Sequence, residues 1–295
     1  MAAATVLDWQ PQALQQALQA LLPGLLVQVQ ASVGSTNTEL LERLRHAPDG
    51  PPCLLVAEQQ TAGRGRQGKA WWSQAGASLT FSLAVPLAPQ DWSGLSLAVG
   101  LALVDALDPA SPGEPARLGI KWPNDLLLRI DDPALPGHKL GGILIETVGG
   151  ADRRWAVVGV GLNVLPRPAT LASAQALPWG HAHLQSWLPG MDAAQALARI
   201  AVPLLQALLN FEQAGFAPLG AAFARRDLLA GRWLRTQAAG EEAPLQGQAD
   251  SVDEQGVLWL RNADGRHPVR SGELGLQPPG AAAGPAPDGA GAAPC

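Results

Sequence analysis

Glycine alternates with positive charge in the segment Gly63-Arg64-Gly65-Arg66-Gln67-Gly68-Lys69, and Trp71 and Trp72 follow it. Glycine lets backbone N–H groups approach an anion closely, and arginine adds a rigid fork of donors that suits a carboxylate or a phosphate. The formal net charge of the chain is -5, so this concentration of cations stands out. Residues 63–69, the arginine loop, therefore predict a site for a small anion. The alternative is a solvated hairpin that binds nothing.

The arginine loop also matches part of the P-loop pattern, G-x-x-x-x-G-K-[ST], which binds nucleotide phosphates. Gly63, Gly68 and Lys69 stand at the required spacing, but Ala70 replaces the hydroxyl residue that would bind Mg²⁺. The residues that follow do not begin an amphipathic helix, whose N-terminus supplies the donors and the dipole of a P-loop. We therefore do not expect a P-loop here.

A second pair of charged residues surrounds a predicted turn. Lys121 and Asp125 stand on either side of the sequence Trp-Pro-Asn, between two apolar runs. Proline presets φ and removes a donor, while asparagine and aspartate tolerate turn geometry. A hairpin would bring Lys121 and Asp125 together at a strand end. The alternative is a plain surface ion pair, which contributes little to stability.

Two later strands contain glycine. Lys139 begins one apolar strand and is followed by a glycine pair, and another apolar strand contains Gly159, Gly161 and Asn163. Glycine inside a strand marks a bulge or the close approach of a ligand or of backbone. The second strand is not a dinucleotide-binding fingerprint, because the third glycine and the following helix are absent.

Together these segments resemble one family, the biotin protein ligases, also called biotin–[acetyl-CoA-carboxylase] ligases. Five segments carry the resemblance, in the order and at the rough spacing expected, within residues 32–164, and a weaker match continues toward residue 276. The five segments are Ser35-Thr36-Asn37, residues 60–71, Lys121-Trp122-Pro123-Asn124-Asp125, Lys139-Leu140-Gly141-Gly142-Ile143 and Gly159-Val160-Gly161-Leu162-Asn163.

The resemblance implies a role for each matching residue. The residues similar to the family's biotin-binding positions are Ser35, Thr36, Asn37, Gln60, Arg64, Gly65, Arg66, Lys139 and Gly142. The residues similar to its nucleotide-binding positions are Arg66, Trp71, Lys121, Asn124, Asp125 and Asn163. By the same resemblance Lys139, Arg64 and Lys121 are catalytic, and Asp125 pairs with the arginine loop or helps to hold Mg²⁺. Which residues hold the metal stays open.

The function that the resemblance implies is the ATP-dependent attachment of biotin, through biotinyl-5'-AMP, to one lysine of a biotin carboxyl carrier domain. The substrates are ATP and biotin, Mg²⁺ is expected, and the protein partner is the carrier domain of acetyl-CoA carboxylase or a related carboxylase. The charges agree with this chemistry. A carboxylate must attack the α-phosphate of ATP, and cations with glycine amides offset the repulsion between the two anions. No side-chain nucleophile is required, and no Ser-His-Asp or Cys-His arrangement stands out.

Two alternatives remain open from the sequence. A lipoate or octanoate ligase or transferase shares the fold, but we expect it to lack an arginine loop followed by tryptophan. A sensor or scaffold that binds the adenylate without transferring it would be indicated by loss of Lys139 or Lys121, and both are present.

Composition favours a cytoplasmic enzyme. The chain has 295 residues, 47% of them hydrophobic, and an acidic balance that argues against a nucleic-acid partner. It shows no signal peptide and no uninterrupted apolar stretch of membrane-spanning length, so no membrane partner is expected. We expect a monomer or a weak homodimer. Some members of the family carry an N-terminal DNA-binding domain and act as repressors. Few residues precede Ser35, so we expect a ligase without repressor function.

Two smaller features complete this set of expectations. Cys53 opens an apolar strand and is predicted to be a small core residue. The sequence His181-Ala182-His183 could ligate a metal on a strand, but without neighbouring carboxylates or cysteines it is predicted to be a surface loop.

Hydrophobic periodicity predicts the elements that position these residues. Predicted helices cover residues 11–22, 36–45, 93–107, 191–214 and 217–229. Predicted strands cover residues 27–33, 53–58, 77–85, 117–122, 126–130, 139–148 and 154–164. The expected fold is α+β, a central mixed β-sheet with helices on one face. By resemblance it is the class II synthetase-like catalytic domain of biotin and lipoate ligases, over residues 1–229.

A change of pattern after Gly231 predicts a second domain. Short strand-like runs cover residues 232–236, 244–251, 256–261 and 266–270, separated by turns rich in glycine and aspartate. Their spacing suggests a small barrel, and its position resembles the family's SH3-like C-terminal domain, assigned to residues 230–277. Residues 278–295 are almost entirely alanine, glycine and proline and are expected to be a disordered tail.

Overall fold

The computed structural model describes residues 7–109, 115–149, 154–168, 177, 179–236, 244–270, 272 and 274–276. The chain divides into two compact units, the first formed by Met1–Leu229 with Val252–Val257 and the second by Ala230–Ser251 with Leu258–Cys295. The short segment Val252–Val257, which the sequence analysis assigned to the second domain, groups with the first unit. The tail predicted for residues 278–295 lies outside the described residues.

The first unit contains a seven-stranded sheet with the strand order β1-β2-β3-β7-β6-β5-β4. The β1 and β2 strands are parallel and the other neighbours are antiparallel, so the sheet is mixed, as predicted. Its strands are β1 (Leu26–Val33), β2 (Cys53–Gln60), β3 (Ser78–Pro86), β4 (Leu118–Lys121), β5 (Asp125–Leu128), β6 (His138–Gly149) and β7 (Arg154–Asn163). Every strand predicted for this part of the chain is present, with ends displaced by a few residues at most.

One face of the sheet is covered by helix α2 (Thr36–His46). Its leucines form a buried cluster with side chains of β2, β3 and β7, and Trp155 closes the cluster. Ser35 caps the helix, since its side chain accepts a hydrogen bond from the Thr38 amide at 3.5 Å. The polar residues at the N-terminus of α2 are thereby fixed against this sheet face.

The opposite face is covered by helices α3 (Leu95–Leu107) and α4 (Ala193–Ala214). At Gly100 of α3, an added Cβ would lie 3.3 Å from the Ile120 side chain and 3.6 Å from that of Ile143, two residues that point away from α2. Helix α3 contacts both the sheet and α4, which explains why it is apolar all around. The expectation of helices on one face only is therefore wrong, because periodicity does not tell which face of a sheet a helix covers.

Helix α4 is the one helix of the described chain that is long and apolar enough to cross a membrane by length and composition. In this fold 50% of its most apolar window is buried, and Leu197, Leu204 and Phe211 are core residues. Such burial is typical of a core helix. Asp192 and Gln195 form a reciprocal capping box at its start.

The remaining helices are shorter than predicted. Helix α1 is Pro11–Gln19, and helix α5 is Gly220–Arg226 after the single 3₁₀ turn Ala217–Leu219. Helix α3 was predicted to begin at residue 93 and begins at Leu95. Gly94, with φ of 80°, occupies the N-cap position, and the Ser93 amide donates to Asp91 instead. A glycine in the left-handed region directs the chain into the helix where a serine would be strained.

The second unit contains a five-stranded sheet of order β11-β10-β9-β8-β12. Its strands are β8 (Trp233–Thr236), β9 (Gln246–Val252), β10 (Leu258–Asn262), β11 (Gly265–Val269) and β12 (Leu274–Leu276). The first four were predicted, and β12, which pairs with β8, was not. Three residues are too few to show a period, so only pairing identifies this strand.

Cys53 is a buried free cysteine, as predicted. Burial raises the pKa of its thiol from 9.0 to about 11, partly offset by the charge of Arg43. At pH 8 the thiolate fraction should then be about a hundredfold lower than in the unfolded chain, because two pKa units separate the two states. The raised pKa also means that the contribution of this thiol to stability is complete below pH 9 and is lost as the pH rises toward 11.

Alkylation by iodoacetamide at pH 8, followed by mass spectrometry, tests this in a Cys295→Ser variant that leaves Cys53 as the remaining thiol. Labelling should be at least about a hundredfold slower in native buffer than in guanidinium chloride. Equal rates would contradict the buried assignment.

Candidate active site

A row of paired residues crosses five strands on the face that carries α2. Thr80 pairs with Gly161, Gly161 with Gly142, Gly142 with Asp125, and Asp125 with Lys121. Directly paired residues project from the same face of a sheet. Because the two central positions are glycine, the middle of the row is a floor without side chains, with Asp125 and Lys121 at one end.

The glycines accommodate side chains of the protein itself. A Cβ atom at Gly161 would overlap the indole of Trp71, and one at Gly159 would overlap the amide of Asn37. The sequence analysis predicted close approach of a ligand or of backbone at these strands. The approaching groups are two of the side chains that it assigned to the site, which the glycines allow to lie close to β7.

Cations surround the Trp71 ring. The Lys139 ammonium lies 6.0 Å from its centroid and the Arg167 guanidinium lies 5.6 Å from it. Arg167 also lies 5.5 Å from the Trp72 ring and donates from Nε to Asn163 Oδ1 at 3.3 Å. Desolvation by burial lowers the pKa of Arg167. Trp71 thus presents a flat aromatic surface beside fixed positive charge.

Asn163 is 1% exposed and ties three segments together. Its Nδ2 donates to the carbonyl oxygens of Lys139 at 3.2 Å and Ala182 at 3.0 Å. These bonds hold the residues that follow β7 against the start of β6. The amide is engaged by the protein, so its part in the site is to fix Lys139 and Arg167.

Lys139 forms an ion pair with Asp125, at 2.7 Å between Nζ and Oδ1. Their side chains are 21% and 14% exposed. Gly142 leaves room for the pair, since an added Cβ there would lie 3.5 Å from Asp125 Oδ1 and 3.7 Å from Lys139 Nζ. Lys121 is the register partner of Asp125, as the predicted hairpin requires, and its ammonium lies 4.6 Å from the centroid of the Trp179 ring.

The arginine loop is fastened at both of its arginines. Arg64 Nη2 lies 2.6 Å from each carboxylate oxygen of Glu146, and Arg66 Nη1 donates to Asn124 Oδ1 at 3.0 Å. The expectation that Asp125 pairs with the arginine loop is therefore corrected. Arg64 contacts Glu146, while Asp125 binds Lys139.

The ends of the arginine loop are closed by backbone bonds. The Trp71 amide donates to the Gly63 carbonyl at 2.8 Å, and the Gly65 amide to the Lys69 carbonyl at 2.6 Å. Gln67 has a φ of 54°, a conformation that costs free energy for a residue other than glycine. The cationic turn thus has a defined shape even though it is largely exposed.

A polar cluster lies at the N-terminus of α2. Gln60 Oε1 accepts from the Thr36 amide at 2.7 Å and from Thr36 Oγ1 at 3.1 Å. Ser82 Oγ lies 2.6 Å from both Thr36 Oγ1 and Asn37 Oδ1. Thr36, Asn37 and Ser82 are all buried, as is the capping residue Ser35. The buried groups are hydrogen-bonded to one another, so their orientation is fixed before any ligand arrives.

The sequence analysis missed three residues of this site, Ser82, Glu146 and Arg167. The alternation of β6 carried a signal for Glu146, since it stands four residues after Gly142 and so projects from the same face. Ser82 had the weaker signal of one hydroxyl in an apolar strand. No local pattern indicates Arg167, whose position depends on how the chain turns after Asn163.

The segment His181-Ala182-His183 was predicted to be a surface loop, and this prediction is wrong. It forms a parallel bridge between His181 and Lys139, and the Ala182 amide donates to the Lys139 carbonyl at 2.8 Å. Ala182 is buried. In the described part of the chain, no three histidine, cysteine, aspartate or glutamate side chains lie together as a metal site. The segment supports the backbone of Lys139.

The parts of the site form a continuous surface on one sheet face. The cluster around Thr36 and Gln60 offers hydrogen-bonding groups, the glycine floor offers room, and Trp71 offers a face for a flat ring. Lys139 and the arginine loop supply charge that can neutralise carboxylate and phosphate groups. Such a surface can bring two anionic molecules into contact.

Comparison with known proteins gives consistent relatives. Residues 29–163 match the Biotin/lipoate A/B protein ligase family. The chain is 35% identical over 235 residues to the biotin–[acetyl-CoA-carboxylase] ligase of Mycobacterium tuberculosis, covering 79% of this chain and 82% of that protein. It is 32% identical to the bifunctional ligase/repressor BirA of Escherichia coli, over 87% of this chain and 75% of BirA.

Solved structures show the same relationship. The biotin protein ligase of Aquifex aeolicus in complex with biotin and ATP superposes with a TM-score of 0.65 at 25% identity, covering 85% of this chain and 98% of that one. The superposition therefore extends over nearly the whole of that ligase.

Proposed function

The chain belongs to the Biotin/lipoate A/B protein ligase family, and we propose from this premise that it is a biotin–[acetyl-CoA-carboxylase] ligase. In the proposed reaction biotin is first activated by ATP to biotinyl-5'-AMP. The biotinyl group is then transferred to one lysine of a biotin carboxyl carrier domain. The proposal is supported by relatives named for this activity and by solved relatives that hold biotin with ATP.

In the first step a carboxylate oxygen of biotin forms a bond to the α-phosphorus of ATP, and the bond to pyrophosphate breaks. Two anions must approach, so positive charge has to be fixed before they meet. Lys139 meets the developing acyl-phosphate from the glycine floor, Arg64 and Arg66 cover it from the arginine loop, and Lys121 adds charge at the end of the row. These residues position and stabilise. None acts as a nucleophile.

On the biotin side, Ser35, Thr36, Asn37 and Gln60 line the end of the site that receives the ureido ring. The ureido group carries one acceptor and two donors, and the buried polar cluster offers fixed partners of both kinds. A site of fixed hydrogen-bonding groups rejects an acid that lacks them, because its own polar groups would be left unpaired. This is the physical reason to favour biotin over lipoate or octanoate.

On the nucleotide side, Trp71 offers its face to the adenine ring, and Asn124 and Asp125 border the phosphates. The buried Asn163 fixes Lys139 and Arg167 beside them. ATP brings Mg²⁺, which is held by substrate phosphates with one or two protein carboxylates. Asp125 fits that part, since it is the carboxylate of the glycine row and lies beside Lys139, with 2.7 Å between Oδ1 and Nζ. The ion would neutralise phosphate charge.

In the second step the amine of the carrier lysine attacks the acyl carbon of biotinyl-5'-AMP. A carbon–nitrogen bond forms, the bond to the phosphate oxygen breaks, the amine loses a proton and AMP leaves. We propose the carrier domain of acetyl-CoA carboxylase or a related carboxylase as the acceptor. Within this proposal the second unit corresponds to the SH3-like domain of the family, and the first to its class II synthetase-like catalytic domain.

The observation that carries the proposal is the placement of Lys139. Its ammonium lies on the same sheet face as the polar cluster around Thr36, and 6.0 Å from the centroid of the Trp71 ring. An acid bound on one side of it and a nucleotide bound on the other would meet there. ATP–pyrophosphate exchange by the purified protein tests it, with biotin, lipoate or octanoate supplied in turn. We expect exchange with biotin alone. Exchange with lipoate or octanoate would instead identify the chain as a lipoate or octanoate ligase. Biotin binding without any exchange would indicate a sensor that does not catalyse the reaction.

The proposal extends to location and assembly. We place the enzyme in the cytoplasm, in keeping with a free buried thiol at Cys53, and cell fractionation would test this. We propose a monomer or weak homodimer, and sedimentation at several concentrations would test this point.

A further inference from the structure

Glu146 occupies a connecting position in the candidate site. On β6 it projects from the same face as Gly142 and Leu144, and its register partner on β7 is Val157. Its carboxylate lies 2.6 Å from Arg64 Nη2 through both oxygens, and it accepts from Asn37 Nδ2 at 2.9 Å. One carboxylate therefore joins the arginine loop to helix α2, two parts of the site that are far apart in sequence.

The hydrogen bonds continue beyond Asn37. Its Oδ1 faces Ser82 Oγ at 2.6 Å, Ser82 Oγ lies 2.6 Å from Thr36 Oγ1, and Thr36 donates to Gln60 Oε1. The chain of polar contacts from Arg64 to Gln60 is unbroken. Networks of this kind act as a unit, because each bond fixes the direction of the next.

Three groups give this network its direction. The Glu146 carboxylate and the Leu144 carbonyl both accept from Asn37 Nδ2, at 2.9 Å and 3.2 Å, so the amide of Asn37 turns its nitrogen toward β6 and its oxygen toward Ser82. At the far end Thr36 occupies the oxygen of Gln60, so the Gln60 nitrogen faces the arginine loop, where an added Cβ on Gly63 would lie 3.1 Å from Nε2. The donors and acceptors of the biotin end are thus oriented by the Thr36 amide, the Leu144 carbonyl and the Glu146 carboxylate together.

The contact with Glu146 restricts the Arg64 side chain to one conformation. It stands between two glycines, and its side chain is 43% exposed, so without a partner it would sample many conformations. The carboxylate holds it against the site face in the position from which it covers the acid and the phosphate. Charge-assisted contacts of this geometry are the stronger kind of hydrogen bond.

We propose that Glu146 is a positioning residue of the reaction, which acts by holding Arg64 over the site. This inference rests on the ligase function proposed above. It predicts that Glu146 affects substrate binding and the retention of the adenylate through Arg64, and that Glu146 has little effect where Arg64 is missing.

Four variants test it: E146Q, R64A, the double variant, and E39Q as a matched control. E146Q keeps an oxygen that can accept from Asn37 but removes the charge that holds Arg64. E39Q removes another carboxylate that binds an arginine, Arg43, at 2.9 Å on the outer side of α2, with comparable exposure. Biotin-dependent ATP–pyrophosphate exchange gives kcat and KM, and a chase experiment gives the rate at which biotinyl-adenylate leaves the enzyme.

We expect E146Q to raise the KM for biotin and the release rate of the adenylate by about tenfold, with a smaller change in kcat, because it weakens positioning. R64A should have the larger effect on release. Adding E146Q to R64A should change release by less than about twofold, since residues that act through each other are not additive. E39Q should behave as the wild type.

Two results would overturn the inference. One is an E146Q enzyme with wild-type KM and release rate, and the other is a double variant whose release rate is the product of both single effects. If E146Q also lowers the unfolding temperature, the double variant still decides, because general destabilisation would add to R64A and positioning would not. Failure of the ligase function is a different result, a wild-type protein without biotin-dependent exchange.

Discussion

Replacing Lys139 with methionine is expected to lower biotin-dependent ATP–pyrophosphate exchange by about 10²- to 10³-fold, the range found when one fixed donor to a developing charge is removed. Methionine keeps most of the length and the apolar stem and removes only the charge. The backbone of Lys139 is held by Gly180, Ala182 and Asn163, so the strand should remain in place. The loss should therefore appear in kcat/KM while the unfolding temperature changes little.

Asp125 supplies the control for this variant. In K139M the Asp125 carboxylate loses the partner that lies 2.7 Å away, and its charge would then repel substrate anions. Combining K139M with D125N removes that repulsion. Because Asp125 is also the carboxylate proposed to hold Mg²⁺, D125N alone is the reference for the double variant. A double variant far less active than D125N would show that the missing ammonium itself is the cause. A double variant as active as D125N, or a K139M enzyme with wild-type exchange, would remove Lys139 from the reaction.

Most strands could be predicted from the sequence because their signals are local. Glycine at positions 142, 159 and 161 predicted that another group approaches the sheet closely. The structure places the side chains of Asn37 and Trp71 against two of these positions, Gly159 and Gly161. Turn residues between Lys121 and Asp125 announced a hairpin, and these two residues are register partners. Such features depend on a few consecutive residues and on backbone sterics, which sequence states directly.

Contacts across the sheet could not be predicted in the same way. One of the two roles left open for Asp125 was pairing with the arginine loop, but Arg64 of that loop contacts Glu146, and Asp125 contacts Lys139. Which carboxylate meets which cation depends on strand register and on the side of the sheet, and a shift of one residue would reverse every face. The same reason explains why all helices were wrongly assigned to one face. Helix α3 is apolar all around, so its sequence does not show which face of the sheet it covers.

A buried arginine outside the site holds the sheet to its helices. Arg226, the last residue of α5, is 3% exposed. It binds Asp105 at 2.9 Å and Asp108 at 2.7 Å near the end of α3, and it donates to the Leu118 carbonyl of β4 at 3.1 Å. Asp108 also accepts from the amides of residues 117 and 118. One guanidinium therefore joins α3, β4 and α5, and β4 ends at Lys121 of the site.

We expect Arg226→Met to lower the free energy of unfolding by about 3 kcal/mol, the lower end of the range for breaking a buried ion pair. The lower end applies because the Asp105 side chain is 50% exposed and can be hydrated, whereas Asp108 is only 13% exposed and loses its charged partner. Urea unfolding followed by tryptophan fluorescence measures the effect as a lower midpoint at unchanged slope.

Arg225→Met is the matched control. Arg225 lies on the same helix and is exposed, and among the contacts described it donates only to the Ala221 carbonyl of its own helix, at 3.1 Å. It should change stability by less than about 0.5 kcal/mol. Equal midpoints for the two variants would show that the buried guanidinium does not hold these elements together.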